Sequence, residues 1–201
     1  MQDSLLYRIL AKLTPAERSG PRAIYTDPVE SAAETFPEVP LPDDPLSPPL
    51  LASRWVSGDL RGEDMPGIAA DLLEAGYDSH SLRRLAGEMD ASNSAALEPL
   101  VGAMFRELAV NYPMSESAAK IILSRQIARE VIAGKRNPWA AANYLEIAIW
   151  NWVPETAELE LIFSVNDEVD WNSNKKRTLP ELKAALTKAF AQLASLPIKT
   201  E

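Results

Sequence analysis

The chain has 201 residues, with 20 Lys or Arg against 29 Asp or Glu and a formal net charge of −9. Such acidity repels phosphate backbones and disfavours nucleic acid as a partner, while it suits a basic protein partner and solubility alike. There is no cysteine and His80 is the only histidine, so disulfides, thiolate zinc sites and two-histidine metal sites are excluded.

The chain begins MQDS, without a basic start followed by an apolar run and a cleavage pattern. No stretch has the uncharged apolar length of a membrane helix. The expectation is a cytoplasmic protein that binds no membrane and no cofactor.

Residues 3–13 (DSLLYRILAKL) place Leu5, Leu6, Ile9, Leu10 and Leu13 on one face at helical spacing. This predicts a short amphipathic helix over residues 1–14. So short a helix needs a surface to lie on. It docks on its own domain, or it inserts Leu6, Ile9 and Leu10 into a partner's groove. Arg8 and Lys12 are its only basic residues, which disfavours a membrane surface.

Residues 15–49 gather Pro37, Pro40, Pro42, Pro45, Pro48 and Pro49 around Glu38, Asp43 and Asp44. Proline removes backbone donors and stops helices, which predicts an extended linker or strap.

A helical domain is expected over residues 50–196. Its first helix carries Leu50, Leu51, Trp55 and Val56 inward. A second starts at Asp64-Met65-Pro66 and ends at Gly76, and Asp78 or Ser79 caps a third. A longer helix runs from about Ser94 to Val110, with Pro99 near its first turn. The chain's centre is a helical hairpin over residues 115–152. Ser115 caps its first helix, Gly134 ends it, and Asn137-Pro138 opens its second. In the first, Ile121, Ile122, Ala128, Val131 and Ile132 form the apolar stripe, with Lys120, Arg125 and Arg129 on the wetter side. The second has Glu146 as its only charge, so neighbours or a partner must surround it. Residues 155–171 read as a helix rather than a short strand. Thr178-Leu179-Pro180-Glu181 is a capping box for a last helix that turns Leu182, Leu186, Ala189, Phe190 and Leu193 inward. The fold class is therefore all-α, an irregular bundle of about seven helices.

Lys135 and Arg136 in the hairpin turn do not make a DNA reader, because residues 138–152 offer mostly Trp, Ala, Ile and Leu where base edges need polar side chains. Ser79, His80 and Ser81 lack the surroundings of a nucleophile elbow and read as capping or surface groups. No glycine-rich phosphate loop occurs. The expectation is that no residue is catalytic.

The acidic stretch 155–170 holds Glu155, Glu158, Glu160, Asp167, Glu168 and Asp170 with no basic residue among them. Asp167, Glu168 and Asp170 with Trp171 form an expected acidic and aromatic docking patch. Trp139 and Trp150 are expected in the core. Alternatively Glu155, Glu158, Asp167 and Asp170, paired at helical spacing, could hold magnesium or manganese for hydrolysis.

The stretch from IAREVIAGKRNPWAAANYLEIAIW to LIFSVNDEVDW resembles small uncharacterised bacterial helical proteins. These have a glycine-ended helix, an Asn/Asp-Pro helix start and an acidic run after an apolar helix. The resemblance covers residues 115–171, and some proteins of this style are immunity or antitoxin partners. It implies an all-helical binding protein in a toxin or defence system. A structural subunit of a larger assembly is a further expectation.

Overall fold

The computed structural model describes residues 39–88, 93–151, 153–171 and 177–196, and of Asp170 and Trp171 the backbone alone. The expected N-terminal helix, with Leu6, Ile9 and Leu10, lies outside these residues. The described residues form eight α-helices and no strand, so the fold is all-α. Where the sequence reading treats residues 50–196 as one bundle, the chain divides after Gln126 into two compact units.

The unit of residues 42–126 contains α1 (Pro48–Val56), a 3-10 turn (Gly62–Asp64), α2 (Met65–Glu74), α3 (His80–Ala86), α4 (Ser94–Glu107) and the first part of α5 (Glu116–Ile132). Helix α1 starts at Pro48, inside the stretch expected to be linker. Prolines fit a first turn because its N–H groups have no intrahelical partner. Helix α4 begins at Ser94, where the Asn93 side chain accepts from the N–H groups of Ala95 and Ala96. Pro99 therefore lies inside the helix rather than shifting its start. The helix ends at Glu107, short of the expected Val110. Ala109 takes a left-handed φ of 61°, and Val110 N–H closes on the Phe105 carbonyl at 2.9 Å. Met65, Leu72, Leu82, Leu85, Met104 and Phe105 are fully buried between these helices. Each contributes on the order of 2 kcal/mol by leaving water.

The unit from residue 127 onward contains the end of α5, α6 (Pro138–Asn143), a π-helical segment (Tyr144–Ile149), α7 (Ala157–Trp171) and α8 (Leu179–Ser195). Helix α5 ends at Ile132, and Gly134 turns the chain just beyond it with a φ of 71° that suits a residue without a Cβ. Lys135 N–H then reaches back to the Glu130 carbonyl at 2.8 Å. Asn137 caps α6 by accepting from Trp139 and Ala140 N–H.

Two expectations for the hairpin are corrected. Arg125 and Arg129 are buried, not on a wet side. Every residue from Leu123 to Arg129 is buried, so this part of α5 has no solvent face. The second helix is not uniform either. After Asn143 it widens into the π segment, where Trp150 N–H bonds the Leu145 carbonyl five residues back at 2.9 Å. Trp150 is buried as expected, whereas Trp139 is only half-buried.

Helices α7 and α8 pack on each other and on α6. Leu159, Ile162, Leu182, Leu186 and Phe190 are fully withdrawn from solvent between them. At the start of α8 the Glu181 carboxylate accepts from both the N–H and the hydroxyl of Thr178, at 2.6 and 2.8 Å.

Candidate functional site

Helix α7 presents its acidic side chains unevenly. Its buried side carries Leu159, Ile162, Phe163, Val165 and Asn166, and its exposed side carries Ala157, Glu160, Leu161, Ser164 and Asp167. The exposed set repeats every three or four residues, which makes one continuous helical stripe. Leu161 is 39 % exposed within it. Just before the helix, Val153 is 64 % exposed and Glu155 faces solvent.

Glu168 is differently placed. The Arg177 guanidinium donates to it, with Nη2 at 2.6 Å and Nε at 3.2 Å from Oε2. The pair joins α7 to the start of α8, and the carboxylate holds the guanidinium pKa above its ordinary value. Of the expected docking residues, Asp167 thus faces solvent while Glu168 is half-buried and paired. The side chains of Asp170 and Trp171 lie outside the described residues, as does Leu6, Ile9 and Leu10 of the N-terminal segment. Of the alternative metal set, Glu155 and Asp167 are exposed and Glu158 is half-buried. Among the described residues no three His, Asp or Glu side chains come together as a cation site.

Three further carboxylates gather partners that sequence spacing does not reveal. In the first, Asn166 donates through one amide nitrogen to Glu146 Oε2 at 2.7 Å and to Asn143 Oδ1 at 2.6 Å. Glu146 is 2 % exposed and belongs to the π segment. The wider turn sets its side chain toward α7. Being the only charge in an apolar stretch was the one signal in the sequence, because a buried charge needs bonded neighbours.

In the second, Glu98 on α4 accepts from the Trp55 indole N–H at 2.7 Å and from the Tyr112 hydroxyl. This ties α1 and the segment after α4 to α4 itself. Burial, reinforced by the Glu98 carboxylate, pushes the Tyr112 hydroxyl up to about 12. Tyr112 also lies against Phe105, with ring centroids 5.5 Å apart.

In the third, Glu107 accepts from the backbone N–H and the hydroxyl of Ser81, both at 2.8 Å. The Ser81 N–H foremost, followed by the Ser79 and Ser81 hydroxyls, holds its carboxyl below the usual range. Ser79 caps α3 by accepting from Leu82 N–H at 3.2 Å, and His80 is exposed beside it.

Comparison with protein-family models, with curated proteins and with solved structures gives no match to this chain. No helix among the described residues is long and apolar enough to cross a membrane.

Proposed function

We propose that the chain is a non-catalytic binding protein that docks a basic protein on the outward face of α7. The observation that carries this reading is the stripe of Glu160, Leu161, Ser164 and Asp167, acidic residues set around a partly exposed leucine. No basic residue interrupts the sequence from 155 to 170. Carboxylates of this kind steer a cationic partner during approach, and the apolar residue adds contact area once water is excluded. By contrast, Glu98, Glu107 and Glu146 bond groups of their own fold. The likeness of residues 115–171 to immunity-style proteins suggests a partner from a bacterial toxin or defence system, met in the cytoplasm.

The test is capture from a native lysate by the full chain and by a variant carrying Glu160→Gln, Leu161→Ser and Asp167→Asn. All three side chains are exposed, so the variant keeps its helical content. The wild type retains a basic protein that elutes with added salt, and the variant does not. Equal retention by both chains contradicts the reading.

A further inference from the structure

Helix α7 turns about 100° per residue, which sorts its exposed stripe into two edges. Glu160 and Asp167 lie along one edge, Ala157 and Leu161 along the other, with Ser164 between them. Val153 adds a 64 % exposed side chain just before the helix. Among the described residues, Leu161 is the one large, exposed apolar side chain that an α-helix carries. The face is thus narrow and two-sided, acidic along one side and apolar along the other.

The same chain carries a segment of matching length and opposite charge. On a helix, residues 3–13 place Leu5, Leu6, Ile9, Leu10 and Leu13 on one side, and Arg8 and Lys12 fall together along its edge. These eleven residues span about 15 Å of helix, as do the eleven from Ala157 to Asp167. From Met1 to Thr26, Arg8, Lys12, Arg18 and Arg22 outnumber Asp3 and Glu17, in a chain whose net charge is −9. So short a segment gains helix by covering its apolar side.

The connection permits the contact. The described chain begins at residue 39 and is fastened at Asp43, whose N–H donates to Gln126 Oε1 at 2.9 Å and whose carbonyl accepts from Gln126 Nε2 at 3.2 Å. Residues 14–38 span up to about 80 Å when extended, against a radius of gyration of about 13 Å for a domain of about 100 residues. Covalent attachment makes the encounter intramolecular, so contacts too weak to hold two separate molecules suffice.

We propose that the resident occupant of the α7 face is the chain's own segment 3–13, its apolar side over Ala157 and Leu161 and its cations along Glu160 and Asp167. This occupancy rests on the reading of the α7 face as a docking surface, and it adds regulation, because a basic partner reaches that face by displacing the segment.

The test uses the full chain and needs no partner. The chain has no native cysteine, so Ser4→Cys gives a single site for a nitroxide, and NMR reads the paramagnetic broadening of backbone amides. Residues 157–167 broaden most, and reducing the nitroxide restores them. Leu6→Ser, Ile9→Ser and Leu10→Ser together remove the broadening. So does Glu160→Lys with Asp167→Lys in a chain otherwise unchanged, at positions that both face solvent. Broadening of α7 without capture of a basic protein from the lysate keeps this occupancy and removes the external partner, so the two readings fail separately. Broadening centred outside residues 153–167, or unaffected by both sets of substitutions, overturns the proposal. Equal broadening in a mixture of nitroxide-bearing chain and isotope-labelled chain without nitroxide assigns the segment to a second copy, and also overturns it.

Discussion

The side-chain amide of Asn166 on α7 donates to the carboxylate of Glu146 on the π segment at 2.7 Å, and both residues are buried. A buried carboxylate is tolerated only where donors replace the water it has lost. Asn166 supplies one such donor, and the same nitrogen holds Asn143. This bond explains why a helix that starts regularly at Pro138 widens after Asn143. The extra residue in the turn lets Glu146 face α7 instead of solvent.

Asn166→Asp therefore exchanges a donor for a second carboxylate of the same shape. Like charges in contact disfavour ionisation of both and destabilise the fold at neutral pH. The expected loss is about 3 kcal/mol, read as a lower urea midpoint with an unchanged slope. Part of the loss is recovered at acid pH, when one carboxylate of the pair takes a proton. An unchanged midpoint at neutral pH would show that Asn166 does not support Glu146.

Tyr112 gives the fold an alkaline limit. Its folded-state value of about 12 lies above the ordinary 10.0. A raised value means that the folded chain prefers the protonated hydroxyl. The associated stability is complete below pH 10 and is lost as the pH rises through the folded value. Tyr112→Phe removes this titration, so its thermal midpoint falls less than the wild type's over that interval. At neutral pH the same variant is less stable by about 1 kcal/mol, because Glu98 loses a donor. Parallel pH profiles for the two proteins would rule out this role for the hydroxyl.

The capping box of α8 sets an acid limit of opposite sign. The Thr178 N–H, followed by its hydroxyl, holds the Glu181 carboxyl below its ordinary 4.5. A lowered value contributes stability above pH 4.5 that is lost as the pH falls through the folded value. Glu107 and Glu116 shift in the same direction, held down by Ser81 and by Lys120 respectively. Thr178→Ala costs about 1 kcal/mol at neutral pH. Glu181→Gln loses less stability than the wild type on acidification, as measured by circular dichroism melts. A steeper acid loss in Glu181→Gln than in the wild type would contradict the assigned bonds.

Local signals in the sequence carried the ends of helices. Ser79, Gly134, Asn137 and the Thr178–Glu181 pair act within a few residues of themselves, so their chemistry is legible without a tertiary structure. The inward residues of α8 were equally legible, because one side of that helix faces solvent and the apolar period is preserved. Charge failed as a marker in α5, where Leu123 to Arg129 are buried on every side and Arg125 and Arg129 go in with the rest. The π segment and the bonds from Gln126 to Asp43 depend on groups far apart in the chain, and no local period encodes them. Within the acidic stretch, spacing placed Asp167 and Glu168 next to each other. It did not show that Arg177 engages only the second.

The most direct test of the α7 face is the association rate of the captured basic protein, measured against ionic strength by stopped flow. For the wild type the rate falls steeply as salt rises, because steering by exposed carboxylates is screened within about 10 Å at 0.1 M salt. The chain carrying Glu160→Gln, Leu161→Ser and Asp167→Asn starts slower at low salt and shows a shallower slope. Identical rates and slopes for the two chains would contradict the account.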